Sequence, residues 1–483
     1  MRKALAAGAL TLGLGLSACS LAPDYQRPQS PVPPDLPVGG AYTPQEAEAL
    51  PAVSYPEVLQ DPRLLELVGL ALANNRDLRI AAANIEQARA LVRVTRSAQF
   101  PQVAIGASAD YAARSGPDGQ TYALRGGVSS WEVDFFGRLA NATSAQRDIA
   151  LATEASAQAV RIALVADIAA VWLTYAADRD LAAIALDTAD NARRSVELTR
   201  ARLDGGIAPR TDLRQAEQVL ATAEGDLAQQ RAALAEDVNL LQLLVGAPVE
   251  LSLLPGGLAE IADSVATLPA GTSSDVLLRR PDVVEAEYLL RSANADIGVA
   301  RAALFPSLSL TGLLGLASDA LGSLVTGDAF SASAGAGVAQ AIFDAGGRRA
   351  GVEVSVARRD AALAAYERAI QSAFREVADA LATQGTIVER LDAARRNTAA
   401  SQDAAGLTEA RYLGGIDSFL ANLDAQRSLY AARRQEVAIT LIALQNRVEI
   451  YRVLGSDALL ATAPPAVRPA LTPELAPALA PSG

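Results

Sequence analysis

The sequence of 483 residues contains no histidine, and methionine, lysine and cysteine occur once each, at Met1, Lys3 and Cys19. Aromatic residues make up only 4% of the chain. These absences exclude an imidazole base, a Schiff-base lysine, a thiolate pair, a His/Cys zinc site and a P-loop lysine. Carboxylate-pair catalysis or a carboxylate metal site is still possible, but most acids alternate with arginine on predicted helices, as on a solvated face. We therefore expect no catalytic site, no metal site and no cofactor.

The chain is acidic, with a formal net charge of −12 and no basic cluster. An acidic chain without a basic patch argues against nucleic acid as a partner. Hydrophobic residues make up 51% of the sequence, and alanine supplies much of this fraction. Abundant alanine with few aromatics is typical of long, closely packed helices.

The first residues have the pattern of a secretory signal. Arg2 and Lys3 precede an apolar stretch, Ala4–Leu16, that is too short to span a bilayer as a helix. The ending Leu-Ser-Ala-Cys resembles the bacterial lipobox, which implies cleavage before Cys19 and a covalent lipid on that residue. Ser20 at the next position implies delivery to the outer membrane. The alternative is an ordinary signal peptide with an incidental cysteine.

The body of the chain repeats itself with an offset of about 205–210 residues. The matching pairs are Arg76–Pro101 with Pro281–Pro306, Asp134–Arg138 with Asp344–Arg348, Gly205–Ile207 with Gly414–Ile416, and Gly246 with Gly455. Four anchors in the same order indicate a tandem duplication. Each copy is predicted to contain a helix, two strands, a long helix, a turn and a final helix.

Two segments in each copy alternate apolar residues with small or polar ones, the pattern of β-strands. The residues expected on one face of each strand are Val103, Ile105, Ala107, Ala109 and Tyr111; Tyr122, Leu124 and Val128; Leu308, Leu310, Gly312 and Leu314; and Ala332, Ala334, Ala336 and Val338. Such alternation suits a barrel wall with lipid on one side and water on the other. A β-sandwich would show it too.

The helical segments are exceptionally long. Neither proline nor glycine occurs from Arg138 to Leu203, and Arg348 to Tyr412 is similarly long and free of proline. At 1.5 Å per residue each would extend roughly 100 Å, far more than a globular domain needs. The following helices carry apolar residues every seven positions, which specifies lateral packing into coiled coils; they are Leu213, Leu220, Leu227, Leu234 and Leu241, and Leu423, Tyr430, Val437, Leu444 and Tyr451.

Four strands per chain are too few to close a transmembrane barrel. Single-chain barrels need about eight strands, and an open sheet edge in lipid leaves backbone groups unpaired at several kcal/mol each. The residues therefore predict that several copies share one barrel, with the helices forming a second tube. They do not give the number of subunits.

Several motifs in order resemble one family. They are the lipobox, Pro23-Asp24-Tyr25 with Arg27-Pro28, Asn74–Leu78, the two Asp-x-x-Gly-Arg motifs, and the stretch Tyr412–Arg427. Together they resemble the TolC/OprM-type outer-membrane factors, and the OprM-like lipoprotein branch (NodT type) fits best. The resemblance extends from about Cys19 to Gly455.

This resemblance implies a mixed α/β membrane protein: a homotrimer whose 12-stranded outer-membrane β-barrel continues into a 12-helix periplasmic barrel. It also implies docking on a periplasmic adaptor and an inner-membrane pump. The segments expected are a signal peptide at 1–18, a lipid-anchored N-terminal segment at 19–61, repeat 1 at 62–246, an equatorial linker at 247–275, repeat 2 at 276–455 and a C-terminal tail at 456–483.

The resemblance places a gate at the periplasmic ends of the long helices. Gly205-Gly206 and Gly414-Gly415 are expected to act as hinges there, since glycine supplies the positive φ that a helix C-cap needs.

Four side chains near these turns are candidates for the gate. Asp424 falls on the family's aspartate that rings the narrowest opening. Tyr412 and Asp212 fall on positions that link the inner and outer helix pairs in the closed state, and we expect the Tyr412 hydroxyl to donate to Asp212. Asp417 is a weaker candidate in the same region.

Three of these residues also have a plainer interpretation. Asp212 can be a first-turn acid favoured by the helix dipole, Tyr412 an aromatic at a coiled-coil edge, and Asp424 a solvated partner of Arg427. Of the two tryptophans, Trp131 is expected in the interfacial aromatic belt and Trp172 in a core.

The favoured function is the outer-membrane channel of a tripartite efflux system that exports drugs or other small toxic compounds, a passive duct and not an enzyme. An exit duct for type I protein secretion would have the same fold, although the lipobox favours efflux. A metal-efflux duct would lack the usual methionine and histidine ligands for soft metals. A lipid-anchored periplasmic coiled-coil scaffold would leave the four strands unexplained.

Overall fold

The structure, a computed structural model, describes residues 20–42, 53–112, 119–268, 273–325, 327–455 and 457. The predicted leader, Cys19 and the tail from 458 onward lie outside these residues. The chain forms two compact units. In the described part, unit 1 comprises residues 20–31, 83–156 and 282–369, and unit 2 comprises residues 32–82, 157–281 and 370–457.

The described residues form eight α-helices and four strands. In chain order these are α1 Tyr55–Val58, α2 Pro62–Asn74, α3 Arg76–Ser97, β1 Val103–Ala112, β2 Gly119–Val133, α4 Arg138–Asp204, α5 Arg210–Val245, α6 Pro281–Ala302, β3 Ser307–Ser318, β4 Phe330–Ala339, α7 Gly347–Leu413 and α8 Phe419–Leu454. The order helix, two strands, long helix, helix occurs twice, as the sequence predicts. Corresponding helices have equal lengths: 22 residues in α3 and α6, 67 in α4 and α7, and 36 in α5 and α8.

The helices end where the sequence supplies capping residues. The side chain of Asn75 separates α2 from α3, because its Oδ1 accepts from the Leu78 N–H (3.0 Å) while its Nδ2 donates to the Leu244 carbonyl (2.8 Å). Gly246 ends α5 with φ 74°. A Cβ atom there would lie 2.6 Å from the Asn74 carbonyl oxygen, so both the backbone conformation and the close approach require glycine.

The four strands form one antiparallel sheet in unit 1, in the order β1-β2-β3-β4. β1 and β4 are the edges, and β4 is exposed along its whole length. A β-bulge between Val128 and Trp131 shifts the register of β2 against β3. Trp131 lies near the end of β2 that leads into α4, and its Nε1 donates to the Gln99 carbonyl (3.1 Å).

The N-terminal residues of unit 1 are fastened to α6 by a buried ionic cluster. Glu287 is 4% exposed and accepts hydrogen bonds from Arg27 (2.7 and 3.1 Å), Arg291 (2.5 Å) and the Tyr25 hydroxyl (3.3 Å). The Arg291 guanidinium also lies over the rings of Tyr25 and Tyr288. Burial alone would raise the pKa of Glu287, but the bonds from Arg27 and Arg291 outweigh it and hold that pKa below its ordinary value.

Unit 2 has its core around Trp172, which is fully buried and donates from Nε1 to the Leu253 carbonyl (2.9 Å). The prediction that Trp172 is a core residue is confirmed. The backbone at 58–60 pairs with 264–266 through two hydrogen bonds of 2.8 Å. Asp457 Oδ2 accepts from the Tyr55 N–H (2.8 Å) and the Tyr451 hydroxyl (2.7 Å). These contacts bring the N-terminal segment, the inter-repeat segment and the end of α8 together within unit 2.

Candidate functional site

The two helix-turn-helix tips of unit 2 have the same backbone geometry. Gly206 donates to the Leu203 carbonyl (2.9 Å), and Ile207 donates to the Arg202 carbonyl (2.9 Å). At the second tip Gly415 donates to the Tyr412 carbonyl (3.0 Å) and Ile416 to that of Arg411 (2.8 Å). This pair of hydrogen bonds at each tip is the Schellman motif, in which a helix ends at a residue in the left-handed conformation.

Only the second glycine of each pair has the conformation that the sequence predicts for both. Gly206 has φ 75° and Gly415 has φ 73°, whereas Gly205 and Gly414 do not have a positive φ. The prediction of a positive φ at Gly205 and Gly414 is therefore wrong. Each of these two residues is the C-cap, which follows the last helical residue and directly precedes the left-handed glycine of the motif.

Tyr412 lies in an apolar cluster that draws side chains from α4, α5, α7 and α8. The cluster consists of Val196, Leu213, Ala216, Tyr412, Phe419 and Leu423. Tyr412 is 7% exposed, its ring centroid is 5.7 Å from that of Phe419, and the Arg202 guanidinium carbon is 4.5 Å from the ring centroid. Tyr412 therefore links the α4–α5 and α7–α8 pairs by packing and by a cation–π contact.

The expected hydrogen bond from the Tyr412 hydroxyl to Asp212 is not present. Among the described residues, the hydrogen bond to the Asp212 carboxylate comes from the neighbouring Thr211 hydroxyl (3.5 Å). The reason is that Phe419 and Arg202 hold the Tyr412 ring within the cluster, while Asp212 lies in the first turn of α5. Asp212 thus has the position of a helix-dipole acid.

Asp417 forms an ion pair within the α7–α8 tip. Arg411 Nε and Nη2 donate to the two Asp417 carboxylate oxygens at 2.7 and 3.0 Å. The same arginine bonds lower the pKa of Asp417 below its ordinary value. The pair connects the end of α7 to the turn that follows it, so it braces the α7–α8 pair and does not join it to α4–α5.

Asp424 is exposed on the second turn of α8, and in the described structure it forms no ion pair with Arg427. The plainer interpretation of Asp424 as a partner of Arg427 is therefore not supported by the geometry.

The sequence does not predict two polar contacts that join the helix pairs. The Tyr430 hydroxyl donates to Asp226 Oδ2 at 2.6 Å, and Arg433 Nη1 donates to Asp187 Oδ2 at 3.0 Å. Burial and the hydrogen bond to Asp226 raise the pKa of Tyr430 to about 12. The feature of the sequence that indicates such a contact is a tyrosine among the heptad residues of α8, because a buried hydroxyl requires a polar partner.

A cavity of about 440 Å³ lies between α4, α5, α7 and α8 along this stretch. Tyr412, Asn422 and Tyr430 are among its lining residues. Asn422 Oδ1 is buried and has no hydrogen-bond partner among the described residues. The helix pairs are thus joined here by separate polar bonds beside open space, and not by a continuous apolar core.

The family model described as "Outer membrane efflux protein" matches residues 67–247 and 272–456, once in each half of the chain. The chain belongs to the outer membrane efflux protein family. It is 38% identical over 465 residues to the toluene efflux pump outer membrane protein TtgC of Pseudomonas putida, covering 94% of this chain and 96% of that protein. It is 36% identical over 453 residues to the cation efflux system protein CusC of Escherichia coli, covering 92% and 97%.

A solved structure of CusC matches with a TM-score of 0.80 at 34% identity, covering 91% of this chain and all of that one. The efflux function and the outer-membrane location expected from the sequence are thereby confirmed. This outer membrane efflux protein is a transport duct and not an enzyme. Its relative TtgC is the outer membrane protein of an efflux pump.

Proposed function

We propose that three copies of this efflux protein form one duct, with a shared 12-stranded barrel in the outer membrane and a 12-helix barrel in the periplasm. The observation that carries the proposal is the four-stranded sheet with two unpaired edges, β1 and β4. An unpaired edge in lipid costs several kcal/mol for each unsatisfied backbone group. Three copies of four strands make a closed 12-stranded wall.

The repeated order of elements supports the same assembly. The two halves carry the same element order with equal helix lengths, and the family model matches each half separately. Six similar halves, two from each protomer, can then alternate around one axis.

Native mass spectrometry and electron microscopy of the detergent-extracted particle test this proposal. A trimer with conductance in planar bilayers is expected. A monomeric or dimeric particle would contradict the shared barrel.

The lipid anchor is proposed to be a covalent lipid on Cys19. Residues just after it are held against α6 within unit 1: the Leu21 carbonyl accepts from Arg301 (3.2 Å) and the Pro23 carbonyl from Asn294 (2.7 Å). The lipid would thus be attached two residues before a backbone segment that contacts the end of α6 leading into β3. Mass spectrometry of the mature N-terminal peptide should show a diacylglyceryl cysteine, and an unmodified peptide would contradict the proposal.

The periplasmic partners proposed are an adaptor protein and an inner-membrane pump, with the helix tips as the gated end. In this arrangement Asp424 of each protomer contributes to a ring of three carboxylates, the contacts of Tyr412 and Tyr430 hold the helix pairs together, and Asp212 and Asp417 brace the individual turns. Gly206 and Gly415 supply the sharp reversals at the tips.

The exported compounds are proposed to be drugs or other small toxic organic molecules, in keeping with the toluene pump that includes TtgC. The similarity to the cation efflux protein CusC favours metal ions as a second candidate. The residues after Cys19 contain no methionine and no histidine, which removes the usual soft-metal ligands from this component. Deletion of the gene, followed by growth tests with organic solvents, antibiotics and Cu(I) or Ag(I), separates the two.

A further inference from the structure

The two faces of the four-stranded sheet differ in composition. One row of paired residues across the strands is apolar: Ala107, Leu124, Leu316 and Phe330. The next row lies on the opposite face and contains an arginine among small residues: Gly106, Arg125, Gly315 and Ser331. Glycine, alanine, serine and threonine predominate along this second face. Because the apolar face of a transmembrane barrel is directed to lipid and the polar face lines the lumen, Arg125 lies on the lumen face.

Arg125 is the only basic residue of the four described strands. Two acidic residues share its face, and neither neutralises it. Glu132 accepts hydrogen bonds from Arg138 at 2.6 and 2.8 Å. Asp110 lies on β1 four residues beyond the partner of Arg125, which is about 13 Å along the strand. No carboxylate of the described residues forms an ion pair with Arg125, so its positive charge is not compensated.

The stem of Arg125 leans over Gly315 of β3. A Cβ atom at Gly315 would lie 2.9 Å from Arg125 Cγ, so the glycine makes room for the arginine. A Cβ atom at Gly106, the partner of Arg125 on β1, would meet no atom within 4 Å. The Arg125 side chain is exposed. Its stem is therefore held on one side by close packing, while the charged end is surrounded by small residues and open space.

The second hairpin has no counterpart of this charge. Val128 and Val338 occupy equivalent pairs in the two hairpins. Arg125 lies three residues before Val128, and Gly335 lies three residues before Val338. Gly335 pairs with Thr311 on the same face as Arg125, and a Cβ atom there would meet no atom within 4 Å. The position equivalent to Arg125 is thus neutral and has space for a side chain.

We propose that Arg125 determines the charge selectivity of the barrel, which favours anions and the anionic groups of organic solutes over cations. The inference rests on the proposed shared barrel, in which three Arg125 side chains project into one lumen. Fixed positive charges raise the local concentration of anions and lower that of cations. This effect extends over the Debye length, which is about 30 Å at 0.01 M salt and about 3 Å at 1 M. It is therefore strong in dilute salt and lost in concentrated salt.

Reversal potentials of the full chain in planar bilayers, under a KCl gradient, test the proposal. Arg125→Gln should raise the ratio of K⁺ to Cl⁻ permeability about three-fold or more at about 0.01 M salt, and change it little at about 1 M. Arg125→Lys keeps the charge and should behave like the wild type. Gly335→Arg in the Arg125→Gln protein returns a charge to the same face and should restore the wild-type ratio. Each variant is also made in Asp424→Ala protein, so that the carboxylates proposed at the tips cannot mask the barrel.

Thiol labelling tests the orientation of Arg125 separately. Cys19 is the only cysteine of the chain, so Arg125→Cys and Leu124→Cys are each made in the Cys19→Ser background. In outer-membrane vesicles a charged, membrane-impermeant methanethiosulfonate should label Arg125→Cys. It should not label Leu124→Cys, because Leu124 is the neighbouring residue on the apolar face. The reverse pattern of labelling would overturn the proposal.

The remaining outcomes separate this proposal from the shared barrel. A trimeric, conducting Arg125→Gln protein with the wild-type permeability ratio in dilute salt, in both backgrounds, would overturn the role of Arg125 and leave the duct standing. Equal changes in Arg125→Gln and Arg125→Lys would assign the effect to side-chain shape and overturn the role of its charge. A monomeric or dimeric particle, or one that does not conduct, would overturn the shared barrel and this proposal together.

Discussion

The Tyr430 hydroxyl on α8 donates a 2.6 Å hydrogen bond to Asp226 on α5. It therefore joins the two helix pairs of unit 2 at a point where a cavity interrupts their packing. Because the pKa of Tyr430 is raised to about 12, the phenol keeps its proton, and the bond its donor, throughout the physiological pH range.

We predict that Tyr430→Phe raises the single-channel conductance in planar bilayers. A hydrogen bond to a charged group contributes about 1.5–3 kcal/mol, and three copies would contribute about 5–9 kcal/mol if additive. Inverting a 99:1 ratio of closed to open channels takes about 5.5 kcal/mol, so the loss of these bonds is large enough to open the channel. Tyr412→Phe is the matched control, since its hydroxyl has no hydrogen bond in the described structure; it should conduct like the wild type. A larger effect from Tyr412→Phe would show that the link lies there instead.

A second prediction concerns Asp424, which is exposed and forms no ion pair with Arg427. Three such carboxylates around a narrow axis repel one another and attract multivalent cations. Asp424→Ala should weaken cation selectivity and block by a multivalent cation in planar bilayers. Asp417→Ala serves as the control, because Asp417 is already paired with Arg411. Unchanged selectivity and block in Asp424→Ala would remove Asp424 from the pore.

A third prediction concerns the ionic cluster that fastens the N-terminal residues to α6. Glu287→Gln removes the charge and one of the two acceptor oxygens that Arg27 and Arg291 share. Because these arginine side chains are 51% and 36% exposed and can bond to water, the cost should be below that of a fully buried pair, which is about 3–5 kcal/mol. We expect a lower unfolding temperature and easier proteolysis of residues 20–31. Arg27→Ala should cost less, since the Arg27 side chain is 51% exposed.

The pH dependence of this cluster has a definite sign. The pKa of Glu287 is lower in the folded state than its ordinary value, so the folded protein is stabilised at neutral pH. The contribution is lost as the pH falls below about 4. Wild-type and Glu287→Gln unfolding temperatures should therefore converge in acid, and a constant difference down to pH 3 would contradict this assignment.

A fourth prediction concerns two acids on neighbouring helices, Asp178 on α4 and Asp237 on α5. Burial, and then the Asp178 carboxylate within hydrogen-bonding reach, raise the pKa of Asp237 to about 7. Because the folded state binds the extra proton, stability falls as the pH rises from about 4 to about 7. Asp237→Asn should raise the unfolding temperature at pH 8 and change it little at pH 5. The exposed Asp263→Asn serves as the control, and equal shifts of Asp237→Asn at both pH values would contradict the raised pKa of Asp237.

The long helices and the strands could be predicted because their signals are local. An uninterrupted run without proline or glycine gives α4, and period-two alternation gives β1. The bulge at Val128 could not be predicted, because it depends on how β2 meets β3. At the tips, the sequence predicts the left-handed glycines at Gly206 and Gly415, since backbone conformation follows residue type.

Side-chain partners across helices were harder to predict. Tyr412 was expected to bond Asp212, yet its ring is held by Phe419 and Arg202. The heptad spacing predicts only that Tyr430 faces a neighbouring helix, and in the structure its hydroxyl bonds Asp226. A heptad shows that a residue faces a neighbouring helix, but not which side chain of that neighbour it meets.

The equal lengths of corresponding helices, 67 residues in α4 and α7 and 36 in α5 and α8, restrict how such a chain can evolve. Inserting one residue turns every later side chain by about 100° around the helix axis and moves it about 1.5 Å along. Beyond the insertion, polar side chains of the altered helix would then face the apolar side chains of its neighbour. Viable insertions and deletions should therefore occur as matched sets in all four helices, in steps of about seven residues, which restore the heptad phase.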